Sequence, residues 1–433
     1  MDLLRSNLDF RYLFASQFLG AFNDNFYKNA MIMLITFKLS DTAEQTGLLI
    51  TLAAGLFILP FFIFSSLAGQ LADRYPKTEL IKKVKLAEVL VMLLGAMALL
   101  SQHLELLYIV LFLMGTQSAF FGPLKYSILP EVLESNDLMK GNAFFSGSTF
   151  IAILLGTIFG GVGILMDDGT EIMAVSIIVV ALLGYVVSLF ISPTISHNPK
   201  LPIELNIFKS TWQTMGLCRH YSTPFFAVLA ISWFWFLGAV FLSQIPTLVK
   251  YDLMADDSVV VLFLSAFSIG IALGSWLINA FLKGRISFNF HGHFLAAISI
   301  LLVLIVALIS FSAELDSGRT ELITLANVVT LWPLNIVVVL LCLIAALGGA
   351  YIVPLYTLLQ SRTPIELRAR MIATNNVVNA LLMVLSSILV MIGFALSMSL
   401  LQILMALALL NLLVAVFVYY QQSKLDLSKK EEQ

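Results

Sequence analysis

The sequence predicts an all-α integral membrane protein of about twelve transmembrane helices, on three observations. Of 433 residues 60% are hydrophobic and 12% charged, and the mean hydropathy is +0.97. A soluble domain needs about 25% charged residues to cover its surface. Apolar stretches of spanning length, about 20 residues each, fill the chain almost from end to end. Lysine and arginine fall on alternate loops, as the positive-inside rule requires of a multi-pass protein.

Hydropathy places the spans at about 12–38, 46–71, 84–101, 106–130, 142–165, 172–192, 223–249, 258–282, 291–312, 333–359, 371–396 and 398–420. The first follows Arg5 and Arg11 and carries Asp24 and Lys28 in its interior. It is too long for a signal h-region and lacks a small-residue cleavage site, so it is expected to remain in the protein. The second ends at Gly69-Gln70-Leu71-Ala72-Asp73-Arg74-Tyr75-Pro76-Lys77, and the third starts after Lys82 and Lys83. Pro123 and Lys125 stand in the cytoplasmic third of the fourth span. The fifth has Gly147, Gly156, Gly160 and Gly161, small residues that let another helix approach closely. The sixth opens after the acidic turn Asp167-Asp168. Residues 193–222 form the longest loop, with Pro193, Pro199 and Pro202 and then an amphipathic run from Ile203 to Cys218 that reads as an interfacial helix. The last six spans hold almost no charge, and the chain closes on a charged tail, 421–433.

An even number of spans puts both termini on one side. With the N-terminus cytoplasmic, nineteen of the 24 Lys and Arg lie on inner loops and tails, three lie outside (Lys38, Lys250 and Arg319) and two, Lys28 and Lys125, lie within spans. Arg285 is among the inner ones; the outer turns are acidic, with Asp41 and Glu44, Asp167 and Asp168, Asp256 and Asp257. The expected domains are a six-helix bundle 1–192, a linker 193–222 with its interfacial helix, a second six-helix bundle 223–420 and the cytoplasmic tail. A faint repeat links the halves: Phe18-Leu19-Gly20-Ala21 returns as Phe236-Leu237-Gly238-Ala239, and Pro123-Leu124 as Pro354-Leu355, as in the parallel repeats of secondary transporters.

Composition also excludes. Cys218 and Cys342 belong to no Cys/His cluster, so neither a disulfide framework nor a zinc site is indicated. No HExxH, nucleophile elbow or Gly-rich phosphate loop is present, and His103, His197, His220, His291 and His293 lie in or beside loops, so neither an enzyme nor a cofactor is expected. No basic aromatic patch suggests nucleic acid.

Asp24 and Lys28, four residues apart, project from one helix face; ionisable groups at that depth cost several kcal/mol unless paired or hydrated and by default mark an ion or substrate pathway. A buried structural ion pair is the plainer alternative. Lys125 is placed to hold a phosphate or carboxylate headgroup, or to pair with Asp24 or Glu131, or else to snorkel to the cytoplasmic surface. Asn375 and Asn379 share a face and either line a cavity or bond between helices.

The loop 69–77 resembles the cytoplasmic signature G-x-L-A-D-R-x-G-R-K of the major facilitator superfamily, with Pro76 in place of the second glycine. A narrower likeness is to the family of bacterial lysophospholipid transporters and to the transporter half of their fusions with acyltransferase and acyl-carrier-protein synthetase. It rests on Gln17–Asn25, on Gly122–Glu131, on Ile153-Leu154-Leu155-Gly156 through Gly160-Gly161, and on Pro354-Leu355-Tyr356 through Arg368-Ala369-Arg370 and Asn375-Asn376. The resemblance implies the twelve-helix fold of two pseudo-symmetric bundles. It also implies inward movement of lysophospholipid across a bacterial inner membrane by alternating access, delivering it to a separate acyltransferase/acyl-ACP synthetase. A monomer is expected, and another amphiphile, such as a siderophore or drug, is the alternative cargo.

The residues expected to touch cargo are Asn23, Asp24, Lys28, Gln117, Lys125, Tyr126, Asn142, Gln244, Tyr356, Asn375 and Asn379, with Asp73, Arg74 and Lys77 as the cytoplasmic gate. Two departures stand out. The family's helix-7 arginine has no counterpart in Leu237–Ser243, and the proline and arginine frequent in proton-coupled antiporters are replaced by Gly161 and Leu111.

Overall fold

The computed structural model describes residues 2–39, 43–283, 290–315 and 322–431. Asp41, Arg285 and Arg319, and the side chains of Glu44, Lys424, Lys429 and Lys430, lie outside the described residues.

The regular secondary structure of the described residues is helical, apart from one isolated β-bridge between Ala255 and Ile323. In order the helices are α1 (Asp2–Ser6), α2 (Leu8–Leu34), α3 (Ala43–Arg74), α4 (Lys77–Ser101), α5 (Leu104–Ser127), α6 (Leu129–Val132), α7 (Leu138–Gly163) and α8 (Gly169–Leu189). There follow α9 (Ile207–Arg219), α10 (Ser222–Thr247), α11 (Asp257–Leu282), α12 (His291–Leu315), α13 (Leu325–Thr330), α14 (Trp332–Ser361), α15 (Arg368–Ala395) and α16 (Leu400–Glu431). Helices prevail because hydrocarbon offers the backbone no partner, so each span must close its own hydrogen bonds.

Eleven of the helices, from α3 to α16 without the short ones and α9, are long and apolar enough to cross a membrane. The first predicted span, α2, has the length but not the apolarity, because its inner part carries Gln17, Asn23, Asp24, Asn25, Lys28 and Asn29. On α4 the outward face, with Leu86, Leu90, Leu93, Met97 and Leu100, is an exposed aliphatic stripe at helical spacing, suited to lipid.

By its contacts the chain divides into two units: Met1–Gly141, Ile151–Leu229 and Leu358–Ala380; and Asn142–Phe150, Ala230–Thr357 and Leu381–Gln433. In the first, Tyr27, Met31 and Leu34 of α2 pack with Met92 and Leu99 of α4, Val110 and Met114 of α5, and Ile177 of α8. On α7 a Cβ at Gly156 would meet the Phe22 carbonyl of α2, and one at Gly160 the Phe26 carbonyl, so these glycines seat α7 directly on the α2 backbone. In the second unit Phe150 stacks on Trp235, centroids 6.2 Å apart. There Asn411 of α16 accepts from Trp233 Nε1 at 2.9 Å and donates to the Leu295 carbonyl at 2.8 Å, tying three helices with one amide.

The linker helix α9 spans a shorter stretch than the amphipathic run predicted from Ile203. Its N-cap Asn206 accepts from Lys209 N at 3.0 Å. One face, Ser210 and Thr214, bonds Ser66 of α3, while Cys218 donates to Thr374 Oγ1 of α15 at 3.2 Å. The opposite face leaves Phe208 and Trp212 exposed.

Candidate functional site

Helix α2 crosses the first unit with an unusually polar run, Asn23-Asp24-Asn25, and its side chains part in different directions. Asn23 is fully buried and donates to the Ile177 carbonyl of α8 at 3.1 Å, a helix-to-helix bond. Asp24 is half-buried and accepts from Ser118 Oγ of α5 at 2.6 Å. The Lys28 ammonium donates to Asn25 Oδ1 at 3.0 Å and lies 5.6 Å from the Phe57 ring centre. The ion pair with Asp24 that their spacing allowed is therefore replaced by an amide and a ring.

Lys125 of α5 is half-buried as well. It donates to Gln17 Oε1 at 3.4 Å and stands over the rings of Tyr126 and Phe121, at 5.3 and 5.9 Å. It feels the attraction of Asp24 and the repulsion of Lys85. Asp24, Lys28 and Lys125 sit in no salt bridge among the described residues. Three ionisable groups held by neutral partners inside one bundle form a polar locus able to meet a ligand that carries both a cation and an anion.

Gln117, next to Ser118, donates to Glu88 Oε2 of α4 at 2.9 Å. Glu88 in turn pairs with Lys85 at 2.5 Å, and both are buried. These two residues escaped the sequence reading, which began the third span at 84 and put Lys85 in the inner basic loop; the helix in fact starts at Lys77, two turns earlier. Their i, i+3 spacing inside one continuous helix was the available signal.

Asn375 and Asn379 also belong to the first unit. Both are buried, and neither amide atom of Asn375 has a hydrogen-bond partner among the described residues. Asn142, Gln244 and Tyr356 fall in the other unit. There Asn142 donates to Thr357 Oγ1 at 3.2 Å, and the Tyr356 hydroxyl accepts from Trp235 Nε1 at 3.4 Å. Gln244 edges an otherwise apolar cavity whose walls include Phe241, Leu248, Phe263, Ile305 and Leu341.

The stretch 69–77, expected as a loop, is instead the helical end of α3, a two-residue break at Tyr75-Pro76 and the first residue of α4, and it makes a tight charged cluster. The Asp73 carboxylate is buried and accepts from the backbone amides of Ala369 and Arg370, at 2.9 and 3.3 Å, and from Arg370 Nε at 2.9 Å. It thus takes both an arginine and the positive N-terminus of α15. Lys77 is buried against Glu131 at 2.7 Å, with His197 Nε2 3.3 Å from the same oxygen. The Arg74 guanidinium lies 5.4 Å from the Tyr75 ring centre, and its carbonyl accepts from Ser196 Oγ. Gln360 donates to the Tyr126 carbonyl at 3.0 Å and itself receives Arg368 Nε on its own carbonyl at 2.9 Å. On α9, burial pushes the Cys218 thiol up to about 11 against the opposing effects of its Thr374 bond and of Arg370.

Comparison with known proteins agrees with this architecture. The chain is 26% identical over 370 residues to the lysophospholipid transporter LplT of Salmonella arizonae, covering 80% of this chain and 78% of that one. To the protein of the same name from Citrobacter koseri it is 28% identical over 356 residues, covering 80% and 79%. Among solved structures it resembles a bacterial homologue of the iron transporter ferroportin in an outward-facing state, with TM-score 0.65, 13% identity and coverage of 96% and 99%. It also resembles the proton:xylose symporter XylE, with TM-score 0.68, 13% identity and 95% of each chain covered. At such identity these structures speak for the fold alone. The course of long apolar helices, the charged α3–α4 junction and a family match over residues 13–387 lead to one conclusion: the chain belongs to the Major Facilitator Superfamily.

Proposed function

We propose that this multi-pass transporter moves lysophospholipid inward across the bacterial inner membrane by alternating access, with both termini cytoplasmic. The single observation that carries the proposal is the charge pattern on α2 and α5. Asp24 accepts from Ser118, Lys28 and Lys125 offer two cations, and among the described residues none of the three is in a salt bridge. A phosphoethanolamine headgroup carries the complementary pair, a phosphate for the lysines and an ammonium for the aspartate. In this reading the nearly uncharged last six spans take the single acyl chain, which passes from bilayer hydrocarbon to apolar side chains without meeting water. The relatives named lysophospholipid transporter support this choice of cargo.

In this proposal the bundles 1–192 and 223–420 rock about the cargo, and the Asp73, Arg74 and Lys77 cluster closes the cytoplasmic side. The test is leaflet-resolved flipping of labelled lysophosphatidylethanolamine in vesicles containing only this protein, with and without ion gradients. Asp24→Asn and Lys125→Ala should each abolish flipping while the protein still elutes as a folded species. Wild-type flipping in both removes these residues from the mechanism, and preferential transport of a siderophore or drug in competition replaces the cargo.

A further inference from the structure

Helix α4 carries a charge pair that plays no part in the proposed grip on the cargo. Lys85 and Glu88 are 0% and 2% exposed, and the Lys85 ammonium lies 5.2 Å from the Phe121 ring centre. Gly20 of α2 and Gly184 of α8 make its berth: a Cβ at either position would come within 2.9 and 3.2 Å of the nitrogen. Bringing two charges into so dry a place costs more desolvation than their attraction reliably returns, and well-packed apolar side chains would join these helices as well. Cohesion therefore does not account for the pair, and what it touches next does.

Gln117 spends its amide nitrogen on Glu88 Oε2, at 2.9 Å, which turns its oxygen toward Ser118. Ser118 has one hydroxyl proton and two acceptors in reach, Asp24 Oδ2 at 2.6 Å and Gln117 Oε1 at 3.4 Å. The carboxylate is nearer and takes it. When a headgroup ammonium occupies Asp24, the hydroxyl has a prepared second partner, and it has one because Glu88 fixes which end of Gln117 faces it. Around Asp24 the charged groups are Lys28 on its own helix and Lys85 and Glu88 on α4; Lys125 on α5 feels its attraction in turn. Glu88 Oε1 has no hydrogen-bond partner among the described residues, so its hold on Gln117 runs through Oε2 alone.

We propose that Glu88, held by Lys85, is a positioning residue for headgroup recognition, acting on Asp24 through Gln117 and Ser118. This rests on Asp24 being a cargo-binding residue, as proposed above. It sets affinity for headgroups that bear a cation and leaves anionic headgroups, read by the lysines, largely unaffected.

The experiment compares flipping kinetics of zwitterionic lysophosphatidylethanolamine and anionic lysophosphatidylglycerol in reconstituted full-length protein. Lys85→Met/Glu88→Met removes the pair while keeping volume and net charge, and Ser118→Ala cuts the chain further along with little risk to folding. Each should raise KM for the zwitterion roughly tenfold, the weight of one hydrogen bond to a charged group, with Vmax and the anionic lipid nearly unchanged. Because the links act in series, the combined variant should lose no more than either alone, and Ser118→Thr should behave as wild type. Unchanged KM in Lys85→Met/Glu88→Met or Ser118→Ala, or additive losses in the combination, overturns the role of Glu88 while Asp24→Asn still abolishes flipping. Wild-type flipping in Asp24→Asn overturns the cargo site itself.

Discussion

Exchanging Asp73 for asparagine should loosen the contact between the end of α3 and the start of α15, and Cys218 is a built-in reporter of it. Asp73 accepts three N–H groups, one on Oδ1 and two on Oδ2. Asparagine presents one oxygen and one amide nitrogen, so one or two of the three donors are left facing another donor. At about 1.5–3 kcal/mol per hydrogen bond to a charged group, the loss is about 3 kcal/mol, or roughly a hundredfold in the population of the released state. Cys218 is 1% exposed and bonds Thr374, whose hydroxyl donates to the Arg370 carbonyl one turn away. Burial raises its thiol from 9.0 to about 11, so release both uncovers the sulfur and returns it toward its ordinary acidity. The sign is definite: a raised thiol is short of thiolate, and thiolate is the species that reacts. In a Cys342→Ala background, maleimide labelling of Asp73→Asn should run about a hundred times faster than that of the parent, and the parent rate should climb as pH rises toward the thiol's pKa. Equal labelling rates in the two proteins would refute the argument that these three bonds hold the contact closed.

Gly160→Ala would push a methyl group into the Phe26 carbonyl, so an overpacking cost of about 1–3 kcal/mol should appear as a lower melting temperature in detergent; an unchanged melt contradicts the close seating of α7 on α2. Lys77→Met strands Glu131 and should destabilise by about 3–5 kcal/mol, whereas Lys77→Met/Glu131→Gln should recover most of the loss in denaturant titrations. Trp212 lies on the exposed face of a helix that ends just before the span of α10, so bromolipid quenching of tryptophan emission should shrink in Trp212→Tyr; equal quenching, with Trp212 open to iodide, would place α9 in water instead.

Much of the fold was legible because lipid imposes one simple demand, a long apolar run for each crossing, and hydropathy measures that demand directly. It reads helix ends poorly. Lysine and glutamate are good helix formers, so α4 continues back to Lys77 through residues that a hydropathy profile counts as loop. Counting Lys85 with the inner basic loop hid its pairing with Glu88 inside the same helix. Spacing along α2 correctly put Asp24 and Lys28 within the same span, but spacing does not say which neighbour wins. Asn25 captured Lys28, and Ser118, ninety-four residues away in sequence, captured Asp24. The partners of Asp73 were foreseeable in kind, a cation and a helix N-terminus, yet not in place, since Ala369 and Arg370 lie 296 and 297 positions along the chain.

The glycines under α2 have a wider consequence. Since Gly156 and Gly160 bear on its main chain, the depth and roll of that helix are set by backbone lying against backbone, not by what its charged side chains hold. The ionic lettering on α2 can then be rewritten without moving the page it is written on. A redesign for a different headgroup can begin at Asp24 and Lys28, and a change of selectivity there would report new chemistry, with no tilted helix to confuse it.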